Sequence, residues 1–160
     1  MKKSSTVFLQ IVIVLIGIVA LAIMIRFPLT EGRATNLDLV SIYADPFLVY
    51  GYLASIAFFV ALYQAFKLLG YIGQNKVFSL NSVKALRTIK YCAMILIGFI
   101  VGAEAYFNIV QRGKGEDIAG GVAIGLVMIF LSVVIATAAA VFERLLQSAV
   151  EIKSENDLTV

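Results

Sequence analysis

The chain has 160 residues, 61% of them hydrophobic and only 14% charged, with a net charge of +3 and a mean hydropathy of +0.98. Soluble domains hold about 45–50% apolar and roughly 25% charged residues, so the expected solvent is a bilayer, and the length suits one compact membrane unit. A single cysteine, Cys92, and no histidine exclude an internal disulfide, Cys/His metal sites and His-based acid–base catalysis.

Residues 1–6 form a polar lead that carries Lys2 and Lys3. Residues 7–25 are uncharged, and as a helix they extend about 28 Å, enough to cross a hydrocarbon core of about 30 Å. Ala20-Leu21-Ala22 offers the small-x-small site of a cleavable signal peptide. The apolar run continues past it to Ile25, so a retained first span is the expectation. Residues 26–45 mix Arg26 and Arg33 with Glu31, Asp38 and Asp45 and read as an external segment, in which Leu37, Leu39, Val40, Ile42 and Tyr43 could form a short surface piece. Asp45-Pro46 then reads as a helix start, with Asp as N-cap and Pro at the first helical position. The second span covers 47–69, with Tyr50 and Tyr52 near its outer end and Tyr63, Gln64 and Lys67 near its inner end.

The central loop, 70–90, opens with Gly70 and Gly73, carries Lys76, Lys84, Arg87 and Lys90, and holds no acidic residue. Ser79 is placed to cap a new helix, and Phe78 and Val83 have the spacing of a hydrophobic staple. Leu80, Val83 and Leu86 would face the membrane or neighbouring helices, with Arg87 and Lys90 intruding on that side. The helix is expected to run straight into a third span over 91–110. A charge-balanced external turn over 111–117 leads to the fourth span, 118–141. Beyond it, a 100° wheel places Val141, Phe142, Leu145, Leu146, Ala149, Val150 and Ile152 on one half. Glu143, Arg144, Gln147, Ser148 and Glu151 occupy the other half. The tail, 142–160, should therefore begin as an amphipathic cytoplasmic extension, with Glu143 and Glu151 near Lys84 and Arg87. Nine of the 13 Lys and Arg residues fall at the termini or in the central segment counted from Lys67, and four (Arg26, Arg33, Arg112 and Lys114) fall outside. That bias, with an even number of spans, sets both termini inside. The expected architecture is an all-α integral membrane protein: a four-helix bundle, N-in and C-in, in the bacterial inner (cytoplasmic) membrane.

Few residues offer chemistry. Glu104 is the only acid within an apolar run, and a carboxylate at membrane depth suggests an ion path. The competing reading, and the favoured one, sets Glu104 at the outer interface beside Tyr106 and Asn108. Gly98-x-x-x-Gly102 and Gly121-x-x-x-Gly125 have helix-packing spacing. Depth matching makes Gly102 and Gly125 face one another about 11–12 Å below the outer end. Packing within the hairpin is favoured over a homo-oligomer built on the same motif. Cys92 reads as a buried apolar filler rather than a lipidation site. Leu158-Thr159-Val160 could offer its carboxylate to a groove, and a frayed end is the ordinary reading. Because the basic residues follow the loops, the net charge reads as topology, and no direct nucleic-acid contact is expected. No cofactor is expected either. Phosphate-binding loops, catalytic serine motifs and paired membrane carboxylates are lacking, so the sequence predicts no enzyme.

Two segments carry a family resemblance. Residues 65–90, AFKLLGYIGQNKVFSLNSVKALRTIK, and residues 145–160, LLQSAVEIKSENDLTV, resemble the bacterial membrane family of domain of unknown function 2975. Phe78-Ser79, Leu86-Arg87, Lys153 and the closing stretch 155–160 fit its pattern, and the four-span layout matches as well. That family has no established activity. The resemblance implies a companion to a small helix-turn-helix regulator. The leading expectation is a non-enzymatic, regulatory membrane protein that presents Lys76, Lys84, Arg87, Lys90, Leu145, Leu146 and Val150 to a soluble cytoplasmic partner. The alternative is a small transporter or channel subunit that uses Glu104.

Overall fold

The computed structural model describes residues 3–30, 43, 45–111 and 119–157. Four α-helices account for nearly all of them: α1 (Lys3–Thr30), α2 (Pro46–Gly73), α3 (Leu80–Tyr106) and α4 (Ala119–Asp157). A π-helical turn, Phe107–Gln111, closes α3. All four helices are long and apolar enough to cross a membrane. Apart from Tyr43, the expected surface piece within 31–44 lies outside the described residues, as do most of the 111–117 turn and the final Leu158-Thr159-Val160.

The helix starts follow from local chemistry. Asp45 Oδ1 accepts from the Phe47 and Leu48 amides at 2.8 and 3.3 Å, and Pro46 sits at a position whose missing N–H costs nothing. Ser79 has extended backbone, and its hydroxyl accepts from the Ser82 amide. From there α3 runs without a break through the polar central segment into the third span. Two boundaries differ from expectation, while the helix past residue 141 continues as expected. α1 continues past Arg26 to Thr30, so the first residues of the supposed external segment are helical. α2 runs through Gly70 to Gly73, and a turn with Asn75 in the left-handed region (φ 57°) reverses the chain. α4 passes residue 141 without interruption.

The helices pack in chain order. α3 against α4 is the most extensive contact, then α2 against α3, then α1 against α2, and no other pair of helices makes more than marginal contact. The result is a row of antiparallel helices rather than a bundle closed around a shared core. α3 has a neighbour on each side, so the buried apolar residues cluster on its first half: Val83, Ala85, Leu86, Ile89, Cys92 and Ala93. Ala57, near the middle of α2, and Ala139 of α4 complete that core. α1 shows most of its large apolar side chains on the surface, as a lipid-facing edge helix should.

Small residues let α1 approach α2. A Cβ on Gly73 would sit 3.3 Å from the Thr6 methyl, one on Gly70 3.5 Å from Gln10 Nε2, and one on Gly17 3.8 Å from Leu62. Gln10 also donates to the Phe66 carbonyl at 3.3 Å. At the opposite end, Phe47, Tyr106 and Phe107 form an aromatic cluster with centroids 5.1–6.5 Å apart. Such belts belong at the membrane–water boundary.

Candidate functional site

Arg87 and Lys90 lie one turn apart on α3 and point toward α4. Arg87 Nε donates to Glu143 Oε1 and Lys90 Nζ to Glu143 Oε2, each at 2.6 Å. Glu143 is only 6% exposed. It stands 24 residues into α4, about 36 Å along its axis, which is beyond a hydrocarbon core of about 30 Å. Hydrogen bonds from Lys90 and then Arg87 outweigh burial and hold the Glu143 carboxyl below its ordinary range. The triad ties the far part of α4 to the start of α3.

The clamp also reassigns the faces of the tail. The inward stripe of α4 is Ala139, Glu143, Leu146 and Val150, at helical spacings of four, three and four. The wheel drawn from the sequence had set Glu143 on the polar half. Phe142, Leu145, Ala149 and Ile152 form the next stripe round, with Leu145 and Ile152 each 61% exposed. Of the expected charge pairs, Glu143 meets Arg87 together with Lys90 rather than Lys84. Glu151 accepts from Gln147 at 3.2 Å instead of reaching the basic segment. Lys84 and Lys76 are exposed, Arg87 and Lys90 are engaged by Glu143, and Leu146 and Val150 are half-buried.

The glycines require a correction. A Cβ on Gly102 would meet the Tyr50 hydroxyl at 2.5 Å, and a Cβ on Gly125 would lie 2.6 Å from Glu104 Cδ. The two glycines therefore do not face one another. Residues 102 and 104 differ by 200° around a helix, so Gly102 turns to α2 and Glu104 turns to α4. Gly125 thus meets α3 two residues along from Gly102 and on a different face of that helix. Gly98 and Gly121 have open space where a side chain would stand, so neither makes a tight packing contact among the described residues.

Glu104 is half-buried between α3 and α4 with its carboxyl over Gly125, and its Oε2 has no hydrogen-bond partner among the described residues. Asn108 donates to its backbone carbonyl at 2.9 Å rather than to the carboxyl. Tyr50 was read only as an interfacial aromatic. It stacks edge-on with Phe99 at 5.0 Å and donates to the Phe99 carbonyl at 2.8 Å, bridging α2 and α3. Its signal in the sequence was the gap at Gly102, which a tyrosine on the neighbouring helix can fill.

A cleft of about 910 Å³ opens between the α2–α3 loop and the end of α4. Lys76, Phe78 and Asn81 wall one side, Ala149, Ile152 and Lys153 the other. A smaller pocket of about 430 Å³ lies near the aromatic end, beside Phe47, Tyr50 and Gly102.

Comparison with known proteins places the chain. Residues 28–160 match the family described as "Protein of unknown function (DUF2975)". The chain belongs to that family. It is also 46% identical, over the full length of both chains, to the "Uncharacterized membrane protein YoaS" of Bacillus subtilis (strain 168). The DUF2975 relationship supports a membrane protein and carries no activity with it. No solved structure matches the chain.

Proposed function

We propose that this DUF2975 protein is a non-enzymatic component of the bacterial cytoplasmic membrane, with both termini inside, that presents a docking surface to a soluble partner in a regulatory role. A small helix-turn-helix regulator is the partner class that the family resemblance suggests. The supporting observation is the Glu143 clamp. It fixes the end of α4 beside α3 and leaves Phe142, Leu145 and Ile152 uncovered on the next stripe. Leu145 lies about 39 Å along α4 from Ala119, past the hydrocarbon, where an exposed apolar stripe ordinarily marks a contact. Leu145→Asp should release a soluble protein that co-purifies with the wild type, while membrane insertion stays intact. Equal retention by wild type and variant would sink the docking reading.

A second reading rests on a different observation, the buried Glu104 oxygen that has no partner among the described residues. A carboxyl held in this way within a span is suited to carrying a proton or cation. Under that reading Glu104→Gln abolishes ion flux in proteoliposomes. Flux that is equal in the wild type and the variant removes it.

A further inference from the structure

We propose that the cleft between the α2–α3 loop and the end of α4 receives an acidic segment of a soluble protein. The inference rests on the reading that this end of the molecule docks a partner, and it names the chemistry of that partner. Among the described residues, the charged side chains lining the cleft are Lys76 and Lys153, both cations. Among the described residues neither lysine forms an ion pair, whereas Arg87 and Lys90 are spent on Glu143. Phe78, 57% exposed, and Ile152 flank the lysines with large apolar surfaces.

The cleft is also built in advance. Asn75 makes the left-handed turn that reverses the chain, and the Lys76 amide donates to the Tyr71 carbonyl at 2.8 Å. Ser82, fully buried, donates its hydroxyl to the Lys76 carbonyl at 3.3 Å. The loop that carries Lys76 is thus bonded to both helices it joins. A partner would lose little affinity to ordering it.

Position and size select the occupant. Ala149 and Lys153 lie 30 and 34 residues beyond Ala119, about 45–51 Å along α4. A bilayer with its headgroups is about 40–45 Å thick, so the cleft opens to water rather than to lipid. Its volume of about 910 Å³ is near the upper end of small-molecule pockets, roughly 300–1,000 Å³. An inorganic anion would engage the lysines and leave Phe78 and Ile152 bare. A short acidic stretch with an apolar side chain uses both, and the side-chain amides of Asn75 and Asn81 can bond its backbone.

The test is photo-crosslinking in cells of the native host, with benzoylphenylalanine in place of the exposed wall residue Asn81, followed by mapping of the attached segment by mass spectrometry. The expected adduct is a soluble-protein segment in which Asp and Glu outnumber Lys and Arg. Its yield should fall at least about tenfold in Lys76→Glu/Lys153→Glu, since like charges set against one another oppose association. It should fall less in Lys76→Gln/Lys153→Gln, a variant that removes charge without adding repulsion. Helix content and detergent-phase elution report that each variant is folded. An adduct on lipid, on a second copy or on a neutral or basic segment overturns the proposal, as does no adduct at all or a yield indifferent to both double variants. If the cleft yields no acidic adduct and Leu145→Asp still releases a partner, the cleft assignment fails and docking stands. If neither effect is seen, both fail.

Discussion

Replacing Glu143 by glutamine keeps the shape of the side chain and removes its charge, which isolates what the Arg87–Glu143–Lys90 triad contributes. The carboxyl is held below its ordinary range by its two donors, so the native state binds that proton less readily than the unfolded chain does. The stability it supplies is therefore present above the unfolded value of about 4.3 and is lost as pH falls through the lowered native value. Thermal melts in detergent should show the wild type above Glu143→Gln at pH 7, with the two curves converging in acid. A gap that does not change with pH would mean that packing, not charge, sets the difference. Arg87→Gln should cost less than Glu143→Gln, because it leaves Lys90 on the carboxyl and its own side chain is half exposed.

The α3–α4 contact depends on one absent side chain. Gly125 is buried against the Glu104 carboxyl, so a leucine there drives the two helices apart. Overpacking of this kind typically costs about 1–3 kcal/mol, and Gly125→Leu should lower the detergent melting point accordingly. The obstacle is the end of a single side chain, so Gly125→Ala combined with Glu104→Ala should recover most of what Gly125→Ala loses. Failure of that rescue, measured as a double-mutant cycle, would show that backbone and not the carboxyl limits the approach. Gly121→Ala, into open space, is the control and should melt like the wild type.

For the molecule as a whole, the proposed threading makes a plain prediction. Reporter fusions after Gln74 and after Val160 should both read cytoplasmic, and one after Arg33 external. An external C-terminus would move the clamp, the exposed stripe and the cleft to the wrong side for an intracellular partner. The row-like packing adds a further expectation. α1 touches little but α2, so its loss should weaken the protein less than any disruption between α3 and α4.

Much of the fold was legible in the sequence because the relevant quantities add up along the chain. Apolar length marks four spans, Asp45-Pro46 and Ser79 mark two helix starts, and the residues after Ser79 supply no breaker before the third span. Arg87 and Lys90 intrude on an apolar face, and the compact cytoplasmic end expected from the sequence sets Glu143 near Arg87. Rotation about each helix axis was not legible. Gly102 and Glu104 have nearly the same depth and opposite partners, and Glu143 sits on the inward stripe although it lies with polar residues on the wheel. The Tyr50 bridge and the Lys76–Lys153 cleft likewise join residues far apart in the chain. The reason is the solvent. In a bilayer the lipid is as apolar as a neighbouring helix, so hydrophobic periodicity says little about which face is covered. Close packing and the pairing of the few polar groups decide it, and those exist only once the helices are together.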